Sequence, residues 1–352
     1  MPNSRKGRVK LLDIAQASGV SLTAVSLALS DKPGISQETR VRVLEVARTL
    51  GYRFKTAGNH SPARSVKTIG LVVKSGPEDE PHANHFYSPV IAGIESTCRQ
   101  MGINLMFANL LVDSDNFPLE IPALLEKADV DGILLAGIFV DETLGRILDG
   151  NPCPVILVDS YSSTRTYHSV VSDNLQGAYQ ATEYLIRKGH RRIGFIGGHD
   201  GAYPSFRERR VGYRKALADY GMGQGLFADC GNSRGEVAAA ATNLIRQDSE
   251  ITGLVCVNDD TAITAMYALI DLGIRVPQQI SIIGFDDIYL AESVVPGLST
   301  MRVNKQSMGR LAVQLLLNQV SQPDSGCVTS VFCPSLVERS SVSQAVPDKN
   351  PV

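Results

Sequence analysis

Two sets of residues have types and spacings suited to chemistry. In the first, Ser21, Leu22, Thr23, Ser26 and Leu27 fall on a short stretch with helical spacing. Small hydroxyl and apolar side chains near a helix start reach base edges in a DNA major groove. Lys10, Arg8, Lys32 and Arg53, together with Ser21, suit phosphate contacts, which position a protein on a duplex without reading its sequence. In the second set, polar residues directly follow apolar runs. Asp159 follows Val155–Val158, Asn258 and Asp259 follow Gly253–Val257, and Asp286 and Asp287 follow Ile280–Gly284. Open parallel sheets bind ligands beyond the carboxyl ends of their strands, so these are binding candidates. The sequence holds no GxGxxG opening a βαβ unit, no GxxxxGK[ST] and no HExxH, and its six histidines have no ligand spacing. The expectation is a non-enzyme with no catalytic residue, no cofactor and no metal site.

The elements that must carry these residues separate into two patterns. Leu11–Ala17 has apolar residues at helical spacing and stops at Gly19. Ser21 is suited to cap the next helix, Leu22 to Leu29, and Asp31-Lys32-Pro33-Gly34 reads as a turn. Ser36-x-x-Thr39 opens a third helix that ends at Gly51. Helix, tight turn, helix and supporting helix make a helix-turn-helix head, with Val25, Ala15 and Leu29 in its small core. Residues 53–68 are polar, with Gly58 and Pro62, and read as a linker. From Ile69 onward, strand-like runs (Ile69–Val73, Ile103–Phe107, Gly132–Ala136, Val155–Val158, Arg192–Ile196, Gly253–Val257, Ile280–Gly284) alternate with helical patterns (Pro89–Met101, Gly177–Lys188, Glu208–Tyr220, Val237–Arg246, Thr261–Leu272). That alternation predicts parallel α/β sheets. About 270 residues is large for one such sheet, so two lobes are expected.

Charge supports the division. The 352-residue chain has a formal net charge of −2, which alone argues against a nucleic-acid partner. Residues 1–65 hold 11 Lys and Arg against 4 Asp and Glu, a surplus of +7, which leaves −9 on the rest. A basic head on an acidic body is the footprint of a DNA-facing module. A basic, solvated face without a partner is the alternative on charge alone. Cys98, Cys153, Cys230, Cys256, Cys327 and Cys333 form no CxxC pair and read as buried, reduced, inert thiols of a cytoplasmic protein. No apolar run reaches the ~18–20 residues that span a bilayer.

The sequence resembles the LacI–GalR family of bacterial transcription regulators over about residues 9–341. The head carries Val9-Lys10-Leu11-Leu12-Asp13-Ile14-Ala15, Gly19-Val20-Ser21, Thr23-Ala24-Val25-Ser26, Gly34-Ile35-Ser36 and Gly51-Tyr52. The body carries Gly189-His190-Arg191-Arg192-Ile193-Gly194, Arg209-Arg210-Val211-Gly212-Tyr213, Val276-Pro277 through Gly284-Phe285-Asp286-Asp287, Pro296-Gly297-Leu298-Ser299-Thr300 and Leu336-Val337-Glu338-Arg339-Ser340-Ser341. The resemblance implies a helix-turn-helix head (1–55), a hinge (56–68), a two-lobed periplasmic-binding-protein-like core (69–342) and a tail (343–352). Lobe 1 is expected at about 69–160 and 290–322, and lobe 2 at about 161–289 and 323–342. It further implies a dimeric repressor of carbohydrate-related genes that binds a palindromic operator and a sugar or sugar derivative. Effector contacts carried over by position are Arg209, Asp286, Asn258 beside Asp259, and the aromatic pair Phe86 and Tyr87, with Asp159 added.

Structural alternatives stand beside these roles: a salt bridge for Arg209, a turn cap for Asp286, and core packing for Phe86, Leu22 and Leu27. The chain also departs from the family pattern. The hinge motif is displaced to Ala63-Arg64-Ser65-Val66, close to the strand at Ile69. Leu27 replaces an arginine common in relatives, which predicts a different operator preference. Cys230-Gly231-Asn232-Ser233 lacks an aromatic residue that many relatives place there, and the chain has no Trp. The tail from Ser341 has Pro347 and Pro351 and no leucine heptads, which favours a dimer over a tetramer.

Overall fold

The computed structural model describes residues 9–29, 33–50, 52, 66–76, 85–113, 116–127 and 129–345. Arg8, Lys32, Arg53 and the displaced hinge motif lie outside the described residues, apart from Val66. The chain divides into two compact units, Met1–Ala63 and Arg64–Val352.

The first unit holds α1 (Leu11–Ser18), α2 (Leu22–Leu29) and α3 (Gln37–Thr49). Gly19 ends α1 in the left-handed conformation, φ 67°, which a Cβ would disfavour. Ser21 Oγ accepts the Ala24 amide at 3.2 Å, and Ser36 Oγ accepts the Thr39 amide at 3.2 Å, so both predicted caps form. Ile14, Ala15, Val25, Ala28, Val43 and Ala47 make the core, and Leu29 packs against it half-buried.

The second unit runs β1 (Thr68–Ser75), α4 (Tyr87–Met101), β2 (Asn104–Leu111), α5 (Ala123–Lys127), β3 (Gly132–Ala136), β4 (Phe139–Val140), α6 (Glu142–Asp149), β5 (Val155–Val158), β6 (Tyr161–Ser162) and β7 (His168–Ser172). It continues with α7 (Asn174–Arg187), β8 (Ile193–Ile196), α8 (Pro204–Asp219), β9 (Leu226–Ala228), α9 (Arg234–Gln247), β10 (Gly253–Cys256), α10 (Asp259–Asp271), β11 (Ser281–Asp286) and α11 (Tyr289–Ser293). Last come β12 (Ser299–Arg302), α12 (Lys305–Ser321), β13 (Thr329–Phe332) and β14 (Ser335–Val337). The helices begin a few residues earlier than their apolar periodicity suggests, because capping and first-turn residues such as Asn174, Pro204 and Asp259 lie outside the apolar pattern.

Two sheets result, in the orders β13-β7-β5-β3-β1-β2 and β14-β12-β11-β10-β8-β9. The first sheet is parallel, and in the second only the β12–β14 pair is antiparallel. They define lobe 1 and lobe 2. The expected lobe boundaries need correction. β7 belongs to lobe 1 because it pairs with β5, so the chain crosses at Ser172–Asn174 rather than near residue 160. β12 belongs to lobe 2 because it pairs with β11, so the second crossing is Arg302–Lys305 rather than near residue 290. α12 and β13 both belong to lobe 1, β13 beside β7, so the third crossing is Phe332–Ser335 rather than near residue 323. The cysteine reading is also corrected in part: Cys98, Cys153 and Cys256 are buried, but Cys327 and Cys333 are exposed. They flank β13, an edge strand whose side chains alternate between exposed and half-buried.

Candidate functional site

In the head, α2 presents Leu22, Thr23 and Ser26 on its exposed side, with Leu22 48% exposed. Leu22 is therefore not a core residue. Leu27 is half-buried and lies against the turn at Gly34, whose φ of 121° suits glycine. Arg40 of α3 donates to the Leu27 and Ala28 carbonyls at 3.3 and 3.5 Å, a cation on the last turn of α2. Lys10 is exposed, and its backbone amide donates to Asp13 Oδ2 at 2.6 Å, which fixes the start of α1. Five of the nine proposed DNA contacts thus sit on or beside one helix and its cap: Ser21, Leu22, Thr23, Ser26 and Leu27.

In the core, the second set of candidates gathers where the strands of both lobes end. From lobe 1 come Asp159, just after β5, and Tyr87, which opens α4. Tyr87 donates its hydroxyl to Asp159 Oδ2 at 2.8 Å. Asp159 Oδ1 is buried and has no hydrogen-bond partner among the described residues. Burial pushes the Asp159 carboxyl up to about 6, against the opposing pull of the Tyr87 hydroxyl, Arg209 and Lys74. An unmatched acceptor in so dry a place invites a donor from a ligand. Phe86 is half-buried, edge-to-face with Tyr87 at 4.9 Å, and it also packs on the core.

From lobe 2 come Arg209 on α8 and Asp286 at the end of β11. Arg209 is buried and fully directed. Its Nε donates to Asn174 Oδ1 at 3.0 Å, Nη1 to the Val257 carbonyl at 2.7 Å, and Nη2 to Asp286 Oδ1 at 3.1 Å. Its guanidinium stacks on Phe285 at 3.8 Å. Arg209 therefore does form the salt bridge of the structural alternative, and the bridge joins two site candidates. Asp286 has φ 109°, and burial raises its carboxyl despite Arg209 and Lys305. Asn258 caps α10, its Oδ1 accepting the Thr261 amide at 2.9 Å. The neighbouring Asp259 faces away from this role: its oxygens accept from the Thr300 hydroxyl at 2.6 Å and the Ile288 amide at 2.8 Å, bracing the loop after Asp286.

Several residues of the cleft were not among the sequence candidates. Asn174 links Arg209 to Glu208 Oε2 (3.0 Å) and the Tyr161 hydroxyl (3.2 Å). Lys305, buried at the start of α12, donates to the Asp286 carbonyl and, at 3.0 Å, to that of Asp287. Its ammonium lies 5.8 Å from the Phe86 ring centroid. Tyr203, just before α8, donates to lobe 1. Asn174 and Lys305 each open a helix directly after a crossing, and that position is the signal that marks them.

Comparison with known proteins matches both the head and the core of the chain. Residues 10–54 match the model of bacterial regulatory proteins, lacI family, and residues 182–342 match a periplasmic binding protein-like domain. The chain is 31% identical over 335 residues to the HTH-type transcriptional repressor PurR of Vibrio atlanticus, covering 94% of this chain and 97% of that one. It is 30% identical to the ribose operon repressor of Haemophilus influenzae, with 94% and 97% covered. Among solved structures, a transcriptional regulator CelR–cellobiose complex is similar at a TM-score of 0.67 and 25% identity, covering 95% of this chain and 100% of that one.

Proposed function

Because the chain belongs to the LacI family of bacterial regulatory proteins, and so is a DNA-binding transcriptional repressor that responds to a small effector, we propose that its cleft takes a sugar or sugar derivative and that α2 reads the operator. The observation that carries the effector reading is the pairing across the cleft. Lobe 1 offers the unmatched, buried Asp159 Oδ1, and lobe 2 offers the Arg209–Asp286 pair. Sugar hydroxyls both donate and accept, so one ligand satisfies an acceptor on one lobe and a charged donor–acceptor pair on the other. Phe86 and Tyr87 supply apolar surface for a ring. The ribose and cellobiose in the names of two similar proteins favour the same class.

On the DNA side, Leu22, Thr23, Ser26 and Leu27 contact base edges, and Ser21, Lys10, Lys32 and Arg53 contact phosphates. Two chains, as a homodimer in the cytoplasm, bind the two halves of a palindrome. A thermal-shift screen of sugars, phosphosugars and nucleosides tests the effector class. A true effector at 100 times its dissociation constant adds about 2.7 kcal/mol of stability. Stabilisation by nucleosides alone would overturn the sugar reading. Selection from random duplexes followed by fluorescence anisotropy tests the DNA reading, and equal affinity for selected palindromes and scrambled duplexes would overturn it.

A further inference from the structure

Besides the chain crossings and the exposed His85–Asp260 pair at 3.4 Å, the lobes are joined by a buried contact from Tyr203. Tyr203 precedes Pro204, the first residue of α8 in lobe 2, and is 5% exposed. Its hydroxyl reaches across the cleft and donates to two lobe 1 carbonyls, that of Asp159 at 2.8 Å and that of Ile138 at 3.4 Å. Its ring stands edge-to-face with Tyr161 of lobe 1 at 5.3 Å. The Ile138 carbonyl also accepts the Tyr161 amide at 3.3 Å, so this contact joins the small β4–β6 ladder. Burial raises the Tyr203 hydroxyl well above its ordinary pKa, so it remains a donor at any physiological pH.

We propose that Tyr203 is the latch that holds the two lobes closed, and that α8 couples it to the effector. Arg209 lies six residues after Tyr203 on the same helix run, roughly 9 Å along the axis. Any ligand that reorients the Arg209–Asp286 pair therefore moves the element whose first turn grips the Asp159 loop. The same loop offers Oδ1 from its side chain, so one segment of lobe 1 meets the ligand with its carboxylate and the latch with its carbonyl. Tyr203 acts as a positioning residue: it changes the closing equilibrium rather than the contacts to the ligand. The inference rests on the cleft being the effector site, but its test needs no effector, so a failed ligand screen and a failed latch are separate results.

The test is hydrogen exchange on the full chain without ligand, comparing Tyr203→Phe, which keeps the ring, with Tyr213→Phe. Tyr213 donates a buried hydroxyl to the Ile193 carbonyl at 2.8 Å wholly within lobe 2, and so serves as the control. Loss of the latch should speed exchange about 3- to 10-fold at the amides of Asp159 and Tyr161 in lobe 1 and of Phe206 in lobe 2, with the β3 and β8 amides unchanged. Tyr213→Phe should speed only lobe 2. If Tyr203→Phe also lowers the melting temperature, the comparison at matched stability still decides, because a local role confines the change to lobe 2. Unchanged lobe 1 amides, or a rise confined to residues 202–206, would overturn the proposal.

Discussion

Asp159 is a carboxyl with one oxygen held by Tyr87 and the other unmatched in a buried place. Its rise to about 6 means that the folded protein takes up a proton before the unfolded chain does. The contribution to stability therefore increases as pH falls through 6 and reaches its full value only below the unfolded value of about 4. Asp286 and Glu208 are raised in the same direction, also chiefly by burial. These three carboxyls should raise the melting temperature of the free protein at pH 5.5 relative to pH 7.5, while His190, whose imidazole burial holds below its ordinary value, works against them over the same window. Asp159→Asn, which is neutral at both, should flatten part of that rise and stabilise the free protein at pH 7.5 by about 1–3 kcal/mol. Effector binding should run the opposite way, because a donor to Oδ1 favours the ionised form. Affinity for a screened sugar should fall between pH 7 and pH 5, and a flat titration would remove Asp159 from the contact set. Arg209 and Asp286 were legible because each sits in a recognisable motif. Tyr203 was not, because it acts on a lobe other than the one that carries its neighbours in sequence, and local spacing does not encode that.

At the scale of elements, helix starts and stops were legible wherever a short polar residue or a glycine does the capping. Ser21→Ala should cost about 1 kcal/mol of the small head's stability and weaken operator binding several-fold in anisotropy titrations, with the effector's thermal shift unchanged. The partition into lobes was not legible. β7 and β13 pair with each other across some 160 residues of chain, and a short apolar run does not name its partner. Helix–helix approach was equally hidden. Gly212 of α8 packs so closely on α7 that a Cβ there would overlap the Leu175 carbonyl. Gly212→Ala must push α8 away, and Tyr203 and Arg209 move with it. We expect a loss of about 1–3 kcal/mol by urea unfolding together with a weaker effector shift. A stable variant with an intact shift would show that α8 is not the rigid carrier of both residues.

At the scale of the molecule, the charge split separates the two tasks. The surplus of +7 lies in residues 1–65, and the remainder carries −9. Phosphate contacts release counterions, and the affinity falls with salt by about 0.9 in the log–log slope for each phosphate neutralised. If the core only repositions the heads, saturating effector should change operator affinity by a constant factor at every salt concentration, leaving the slope within about 1 of its value without effector. Asp286→Asn should keep the operator affinity and the slope but abolish the effector's influence, since Asp286 is buried in lobe 2 beside Arg209. Linkage adds a check that needs no structural assumption: saturating operator must change effector affinity by the same factor that effector changes operator affinity. An effector-dependent slope would mean that ligand alters the number of phosphates held. The hinge segment or the core would then be contacting DNA, despite the negative balance beyond residue 65.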